Sequence, residues 1–311
     1  MKYLIIGAGG TGGIVGHYMK KAGKDVTLIA RGRHLEEIQT HGLNLEKLWE
    51  NGSETMRIPA FSMEEYPTDS ILRPDVIFVC VKGYSLKETI PFIRKIAKPE
   101  TIVIPILNIF GTGSRMQKEL PQLLVTDGCI YVSANIKEPG MLIQHGEILR
   151  IVFGVREKEE YTPVLEQIKK DLCECKIDAT LSSNIRREAL EKFSYVSPIG
   201  AAGLYYRATA GDFQKEGEPR EMFKAMIQEI TALADAMDIP FEKDMVEVNL
   251  KILEKLLPEA TTSMQRDIMA GKQSEVDGLV YEVIRMGLEY GVPVPVYEKA
   301  AEAIRKLTHS A

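Results

Sequence analysis

Short apolar runs alternate with stretches of helical periodicity through the first half of the chain. The runs KYLIIG and DVTLIA are rich in branched residues and have the length of buried strands. Between them, residues 11–22 have the length of a helix, and Gly23 is a natural stop for it. Strands that alternate with helices in this way predict a doubly wound parallel sheet.

The same alternation continues for another hundred residues. Further strands are predicted at Asp75–Val81, Thr101–Leu107 and Leu123–Ile136, with helices near Ser85–Ala97 and Gly113–Leu120. The next segment, KEPGMLIQHGEILRIVFG, contains Pro-Gly and His-Gly turns. It predicts antiparallel strands added at one edge of the parallel sheet.

The pattern changes near residues 180–184, where TLSSN interrupts it and strand-like runs stop. Helical periodicity then dominates, at Ala189–Leu204, Arg220–Met237, Asp244–Leu257, Gln273–Tyr290 and the closing segment YEKAAEAIRKL. The fold predicted is α/β, with a doubly wound sheet followed by an all-α C-terminal domain. We expect the domains to cover residues 1–182 and 183–311.

Composition narrows the class of protein. The chain has 311 residues, 45% of them hydrophobic, and a net charge of -5, which argues against a nucleic-acid partner. The four cysteines form no C-x-x-C pair and suggest no disulfide framework, which fits a reducing cytoplasm. No run of about 20 apolar residues is present, so we expect no membrane span, and we predict no metal site.

The first turn of the predicted sheet carries a glycine motif. Residues 7–12, GAGGTG, match G-x-G-x-x-G between a predicted strand and a predicted helix. In a Rossmann-type domain this loop and the helix N-terminus hold a dinucleotide pyrophosphate. The candidate cofactor-binding residues are Gly7, Ala8, Gly9, Gly10, Thr11 and Gly12. The alternative is a glycine-rich turn that binds nothing.

Arg31 follows the second predicted strand, where an NAD-binding domain usually has an acidic residue for the ribose hydroxyls. A guanidinium at this point can pair with a 2′-phosphate and stack on adenine, and Arg33 can assist it. We therefore predict NADP as the cofactor. The alternative is an arginine that is simply solvated at the surface.

Two polar residues follow later strands. Lys82 and Asn108 come directly after predicted core strands, and ligands bind at the carboxyl ends of parallel strands. Asn108 can bind a carboxamide or a substrate oxygen. Either residue can equally be a turn residue that satisfies the nearby backbone.

Lys192 lies among apolar residues in the helical half, including Leu190, Phe193 and Tyr195. A lysine partly desolvated by such neighbours has a lowered pKa and can exchange a proton. The competing interpretation is a lysine whose stem covers an amphipathic helix while its ammonium reaches water.

Taken together, these motifs resemble the ketopantoate reductase (2-dehydropantoate 2-reductase) family over nearly the whole chain. The resemblance rests on the ordered series G-x-G-x-x-G, Arg31, V-K, N-x-x-G, P-G-x-x-x-x-G, E-K-F, T-S-M-Q-R-D, S-E-V-D and G-V-P-V-P. It implies an NADPH-dependent reductase that converts the 2-oxo acid ketopantoate to pantoate, on the route to pantothenate.

The resemblance also implies catalytic roles. Lys192 matches the lysine that donates a proton to the carbonyl oxygen, and a cationic acid there would stabilise the charge that develops. Glu275 matches an acid near the nicotinamide and the substrate hydroxyl, and Ser263 matches a serine that binds the substrate carboxylate. Read without the resemblance, the stretch around Glu275 is also an ordinary solvated helix face.

Further cofactor contacts are implied in the same way. Asn108 matches a residue that touches both nicotinamide and substrate, Lys82 one that touches the cofactor, and Ala134 a backbone contact to the cofactor. Glu275 belongs to the cofactor set as well.

The chain departs from the family pattern at two positions. Val196 and Ala210 stand where ketopantoate-reducing enzymes usually have asparagines. A different 2-oxo acid is therefore an alternative substrate, and a related 3-hydroxy-acid or opine dehydrogenase is an alternative enzyme. A redox-sensing NADP-binding protein without turnover is the non-enzymatic alternative. The partner expected is a small-molecule substrate, and the sequence leaves a homodimer open.

Overall fold

The chain divides into two compact units in the computed structural model, which describes residues 1–68 and 73–309. Residues 310–311, at the end of the predicted second domain, lie outside the described residues. The first unit, here called the sheet unit, comprises Met1–Leu107 and Gly111–Ile185. The second, the helical unit, comprises Asn108–Phe110 and Arg186–Ala311. Asn108–Phe110 therefore group with helices that follow them by some 80 residues.

The sheet unit contains the strands of the protein. In chain order they are β1 (Lys2–Ile6), β2 (Asp25–Ile29), β3 (Leu43–Lys47), β4 (Ser53–Met56), β5 (Ala60–Phe61), β6 (Val76–Val79), β7 (Ile102–Pro105), β8 (Leu124–Val125), β9 (Asp127–Glu138), β10 (Met141–Gly154) and β11 (Asp178–Leu181).

Six of these strands form one parallel sheet in the order β5-β2-β1-β6-β7-β8. The order reverses direction between β1 and β6, which is the topological switch point where doubly wound sheets bind ligands. Alternate residues of β1 face opposite sides, with Tyr3 and Ile5 in one apolar cluster and Leu4 and Ile6 in another. The predicted doubly wound class is confirmed.

The antiparallel strands belong to a second, mixed sheet. Its order is β11-β10-β3-β4, and β9 pairs antiparallel with β10. The single strand predicted over Leu123–Ile136 is in fact two, because the chain passes from β8 in the parallel sheet to β9 in the mixed sheet. At the junction, the Thr126 amide still donates to the Val103 carbonyl at 2.9 Å, while Asp127 already pairs with Gly154.

The structure has helices at the segments where periodicity predicts them, and further helices besides. Those of the sheet unit are α1 (Gly10–Lys21), α2 (Gly32–His41), α3 (Leu86–Ile96), α4 (Thr112–Glu119) and α5 (Val164–Glu174). The helical part contains α6 (Ile185–Tyr206), α7 (Ala210–Phe213), α8 (Glu218–Ala236), α9 (Met245–Leu253), α10 (Ser263–Met269), α11 (Glu282–Tyr290) and α12 (Pro295–His309). The predicted all-helical C-terminal region is confirmed.

The long helix α6 runs through the core of the helical unit and contains Pro198. Proline has no N–H, so the carbonyl of Ser194, four residues earlier, loses its intrahelical donor. The side-chain amide of buried Asn249 on α9 donates to that carbonyl at 2.9 Å and to the Ser194 hydroxyl at 3.0 Å. This replacement bond lets α6 continue through the proline, and it ties α9 to the turn after Lys192.

A π-helical turn, Asp277–Tyr281, precedes α11. The sequence predicts one helix over Gln273–Tyr290, so the wider first turn is a difference from that prediction. Such π turns are frequent at functional sites. Within the described part of the chain, no helix is long and apolar enough to cross a membrane.

Candidate active site

The glycine loop of the sheet unit lies at the switch point between β1 and β6. Gly7 has φ +102°, which L side chains rarely adopt, and its amide donates to the Ile29 carbonyl at 3.0 Å. A Cβ on Gly7 would lie 2.9 Å from the Cys80 carbonyl carbon and oxygen. Glycine at position 7 therefore allows β1, β2 and the segment after β6 to converge on the loop.

Close packing explains why positions 10 and 12 of the motif, which lie in α1, are glycines. A Cβ on Gly12 would lie 2.1 Å from the Gly7 carbonyl oxygen and 2.8 Å from Ile5, so α1 rests directly on β1. A Cβ on Gly10 would lie 2.6 Å from the Ala134 carbonyl oxygen. The structure thus brings the predicted residue Ala134, on β9, against the start of α1.

The exposed side of the loop has room for a ligand. Apart from Gly9 and its two chain neighbours, no atom of the described residues lies within 4 Å of the position that a Cβ on Gly9 would take, in contrast to Gly7, Gly10 and Gly12. Gly9 is the N-cap of α1, and no side chain caps the helix there. The first N–H groups of a helix have no intrahelical partner, and such uncapped groups can bind an anion. Thr11 is half-buried in this first turn, and Ala8 is buried beneath it.

His34, which the sequence analysis missed, holds the loop from the side of α2. Its Nε2 lies 2.8 Å from the Ala8 carbonyl oxygen, and its Nδ1 accepts a hydrogen bond of 2.9 Å from the Gly140 amide. Because an amide can only donate, Nδ1 must be unprotonated, so Nε2 carries the proton and donates to Ala8. Burial lowers the pKa of His34, which favours this neutral form.

Arg31 lies just past the end of β2, at the N-cap of α2, and is exposed. Ile29, two residues before Arg31, accepts a hydrogen bond from the Gly7 amide, so the end of β2 lies beside the glycine loop. Lys82 is half-buried and begins the short 3₁₀ turn Gly83–Ser85 after β6. Arg31 and Lys82 therefore follow β2 and β6, the two strands that flank β1 in the parallel sheet.

The helical unit brings Lys192 and Asn108 together. The Lys192 ammonium donates to the Asn108 side-chain oxygen at 2.6 Å, and both residues are half-buried. Phe110, next in this segment, packs on Phe193 with ring centroids 6.2 Å apart. Asn108 is therefore fixed on the helix that carries Lys192, and an amide oxygen orients the ammonium without neutralising its charge.

Glu275 is buried, with 5% of its surface exposed, and precedes the π turn. The π turn contacts the Asn108 segment, because a Cβ on Gly278 would lie 2.3 Å from Ile109 Cδ1. It is also bonded to α6, since the Ser197 hydroxyl donates to the Leu279 carbonyl at 2.5 Å. One turn of backbone thus joins the stretch bearing Glu275 to both Asn108 and the helix of Lys192.

Ser263, the first residue of α10, lines a cavity of about 210 Å³ in the helical unit. Val196 and Ala210, the two departures from the family pattern, line the same cavity. Tyr195 contributes to the wall, and burial raises the pKa of its hydroxyl to about 12. The cavity thus combines a serine hydroxyl with mostly apolar walls.

The predicted residues fall into two sets. The sheet unit holds the glycine motif with Arg31, Lys82 and Ala134, and the helical unit holds Asn108, Lys192, Ser263 and Glu275. Their roles in binding or catalysis stay predictions. Among the described residues, no group of three or more histidine, cysteine or acidic side chains is arranged to hold a metal ion.

Comparison with known proteins gives consistent matches over most of the chain. The family model described as ketopantoate reductase PanE/ApbA matches residues 3–158, and its C-terminal model matches residues 184–308. A 2-dehydropantoate 2-reductase from Pyrococcus horikoshii is 26% identical over 299 residues, covering 95% of this chain and 94% of the relative.

Solved structures share the fold. A PanE/ApbA family ketopantoate reductase from Ralstonia eutropha JMP134 has a TM-score of 0.87 at 22% identity and covers 100% of this chain and 99% of its own. A ternary structure of D-mandelate dehydrogenase with NADH and anilino(oxo)acetate has a TM-score of 0.88 at 20% identity, with coverage of 100% and 99%.

Proposed function

The chain belongs to the ketopantoate reductase family and is an oxidoreductase, and on that basis we propose that it reduces a 2-oxo acid to the 2-hydroxy acid with NADPH. The observation that carries the proposal is the bond of 2.6 Å between the Lys192 ammonium and Asn108. It presents an oriented cationic acid on the same unit as a buried carboxylate and a serine-lined cavity.

The reaction consumes one proton for each carbonyl reduced. When bound, NADPH would supply a hydride to the carbonyl carbon, and negative charge would then grow on the carbonyl oxygen. The Lys192 ammonium stabilises this charge and then transfers its proton to the oxygen, which gives the 2-hydroxy acid. Asn108 keeps the ammonium aligned. The Glu275 carboxylate interacts with the new hydroxyl, and the Ser263 hydroxyl binds the substrate carboxylate.

The sheet unit supplies the cofactor site in this proposal. The open space at Gly9 and the uncapped start of α1 suit a pyrophosphate. Arg31, past the end of β2, is the proposed contact to a ribose 2′-phosphate, with Lys82 and Ala134 as further proposed contacts. A second candidate cofactor is NADH, since a structural neighbour of the same fold binds it. Arg31 is the feature that favours NADPH.

The first substrate to test is 2-dehydropantoate, because relatives that match nearly the whole chain act on it by name. Its product is pantoate, and the reaction would then belong to pantothenate synthesis in the cytoplasm. D-mandelate dehydrogenase shows that proteins of this fold also act on other acids. Formation of a homodimer stays an alternative to a monomer.

The experiment is to follow NADPH consumption by the purified protein with a panel of 2-oxo acids. The panel includes pyruvate, 2-dehydropantoate and phenylglyoxylate, and reactions without acid and with NADH serve as controls. We expect turnover with at least one 2-oxo acid, and the matching 2-hydroxy acid as product. A protein that binds NADPH tightly yet reduces no acid in the panel would instead be the sensor alternative.

A further inference from the structure

The cavity of about 210 Å³ in the helical unit has a mostly apolar lining that can discriminate among substrate side chains. We infer that the 2-oxo acid taken by this enzyme carries a branched hydrocarbon side chain with no hydroxyl at its end. This inference rests on the proposed reduction of a 2-oxo acid. The inference goes beyond that reaction because it specifies the substrate side chain that the cavity recognises.

The cavity lies on the helix face that carries Lys192. Val196 and Ile199 both line it and follow Lys192 on α6 at spacings of four and seven residues. Residues at these spacings share one face of a helix. A carbonyl that reaches the Lys192 ammonium would therefore direct its side chain toward the cavity about one turn further along α6.

Most of the wall is apolar. The apolar side chains that face the cavity include Val196, Ile199, Ala210, Phe213, Leu256 and Ala260. They come from α6, from α7 and from the segment before α10. Each methylene that fits such a pocket changes specificity by about 10- to 200-fold.

The polar groups of the cavity are few and mostly occupied. The hydroxyls of Thr209 and Thr262 and the side chain of Gln265 already form hydrogen bonds inside the protein. Ser263 and Thr261 carry the other serine and threonine hydroxyls of the wall, and both belong to one short stretch at the start of α10. The proposed carboxylate partner, Ser263, is in this stretch, so the polar end of the cavity suits the acid group.

The Tyr195 hydroxyl does not open onto the accessible space of the cavity, although other atoms of this residue line the wall. Its hydroxyl is buried from solvent and forms no hydrogen bond within the described residues. Its ring packs edge-on against Phe223, with centroids 6.0 Å apart. A terminal hydroxyl on the substrate would therefore lose its water at the apolar wall without gaining a partner.

The decisive comparison uses two acids that differ in a single atom. Removing the terminal hydroxyl of 2-dehydropantoate gives 3,3-dimethyl-2-oxobutanoate, which has the same branched carbon skeleton. A site built around a hydroxyl rejects the analogue that lacks it by about 10⁴-fold, whereas an apolar wall rejects the added hydroxyl by about 10²-fold. The ratio of kcat/KM for the two acids therefore reports which kind of wall the enzyme has.

With NADPH as donor, we expect the hydroxyl-free acid to have the higher kcat/KM, by about 10- to 100-fold. Equal values, or a preference for 2-dehydropantoate, would overturn the inference and leave the proposed reductase intact. Pyruvate is the reference acid with a minimal side chain. If neither branched acid nor pyruvate is reduced, the proposed function fails and the inference falls with it.

Variants at the wall provide the second measurement. Val196→Asn and Ala210→Asn each place an amide against the cavity, and we expect each to move the ratio toward 2-dehydropantoate by about tenfold or more. Val248→Asn is the matched control, because Val248 is a half-buried helical valine that does not line the cavity. Thermal unfolding confirms that each variant is folded. A ratio moved equally by Val248→Asn, or unmoved by either wall variant, would count against the inference.

Discussion

Lys192 and Asn108 are joined by a hydrogen bond of 2.6 Å, although 84 residues separate them in the chain. The donor is an ammonium and the acceptor a neutral amide oxygen, so the pair keeps its positive charge. A carboxylate in place of Asn108 would hold the proton on the lysine more strongly and oppose its transfer. The amide therefore suits a residue that must give a proton away.

We predict that Lys192→Ala lowers kcat by at least about 10²-fold, the usual contribution of a general acid. The affinity for NADPH should stay close to that of the wild type, because the variant leaves the sheet unit unchanged. Steady-state kinetics with the best 2-oxo acid and a fluorescence titration with NADPH measure the two quantities. An unchanged kcat would remove Lys192 from the mechanism.

Asn108→Asp tests the neutral acceptor directly. The variant preserves the shape of the side chain but places a negative charge beside Lys192. We expect it to raise the pKa of the lysine and to shift the alkaline limb of the kcat profile to higher pH. A profile that keeps its alkaline limb in place would show that Asn108 does not control the proton on Lys192.

Gly278 and Ile109 set the position of Asn108 from the other side. A Cβ on Gly278 would approach Ile109 Cδ1 to 2.3 Å, Cγ1 to 2.7 Å and Cγ2 to 3.1 Å. Rotation about χ2 moves only Cδ1, and χ1 of a β-branched residue is stiff, so the backbone next to Asn108 would have to move. Gly278 lies in a helical turn, where alanine by itself would be favourable.

We predict that Gly278→Ala lowers kcat by about 10- to 100-fold, since a shift of the Asn108 segment would misplace the ammonium that Asn108 orients. The second change Ile109→Ala should restore most of the loss, because it removes the atoms that clash. Gly146→Ala is the control, as its Cβ would meet no atom within 4 Å. A double variant no better than Gly278→Ala alone would refute this account of how Asn108 is positioned.

Much of the sheet unit could be predicted because its signals are local. The branched run of β1, the glycine motif and the helical periodicity of α1 lie within some 20 residues, and each specifies its own conformation. The division within residues 123–136 was harder to predict, since strand-forming residues lie on both sides of Thr126 and Asp127. Only pairing with β7 on one side and β10 on the other divides the segment into β8 and β9.

The contacts of the candidate site could not be predicted without the resemblance. Nothing local distinguishes Lys192 from a surface lysine, and its bond to Asn108 depends on tertiary structure. Gly278 gave a weak signal, because a glycine inside a helical pattern often has a packing reason. His34 gave none, since its partners lie in two other segments of the chain.

Arg31 decides the choice of cofactor in the proposed function. It is exposed at the end of β2, and its side chain makes no hydrogen bond or ion pair within the part of the chain that the structure describes. We predict that Arg31→Ala weakens NADPH binding by about 10- to 100-fold, in line with about 1.5–3 kcal/mol for a charged hydrogen bond, and barely changes NADH binding. Titration calorimetry with both nucleotides measures this, with Arg57→Ala as a surface control. Equal weakening of the two would mean that Arg31 does not contact the 2′-phosphate.

His34 makes the sheet unit sensitive to acid. Its pKa is lowered by burial, and its Nδ1 must stay unprotonated to accept from Gly140. The unfolded chain has an ordinary histidine, with a pKa of 6.5, and so binds more protons than the folded chain at mildly acidic pH. The stability that neutral His34 contributes is therefore complete above pH 6.5 and is lost as the pH falls from there through the lowered pKa of the folded state.

We predict that His34→Gln removes this part of the acid sensitivity, because glutamine can accept from Gly140 and donate to Ala8 without titrating. Urea unfolding of both proteins across the mildly acidic range should give a shallower loss of stability for the variant, by up to about 1.4 kcal/mol per pH unit. The pKa of buried His17 is lowered too, but His17 is present in both proteins and cancels in the difference. Because His34 holds Ala8 in the glycine loop, NADPH affinity should fall with acid more steeply in the wild type than in His34→Gln. Parallel pH profiles for the two proteins would show that the imidazole does not titrate with folding.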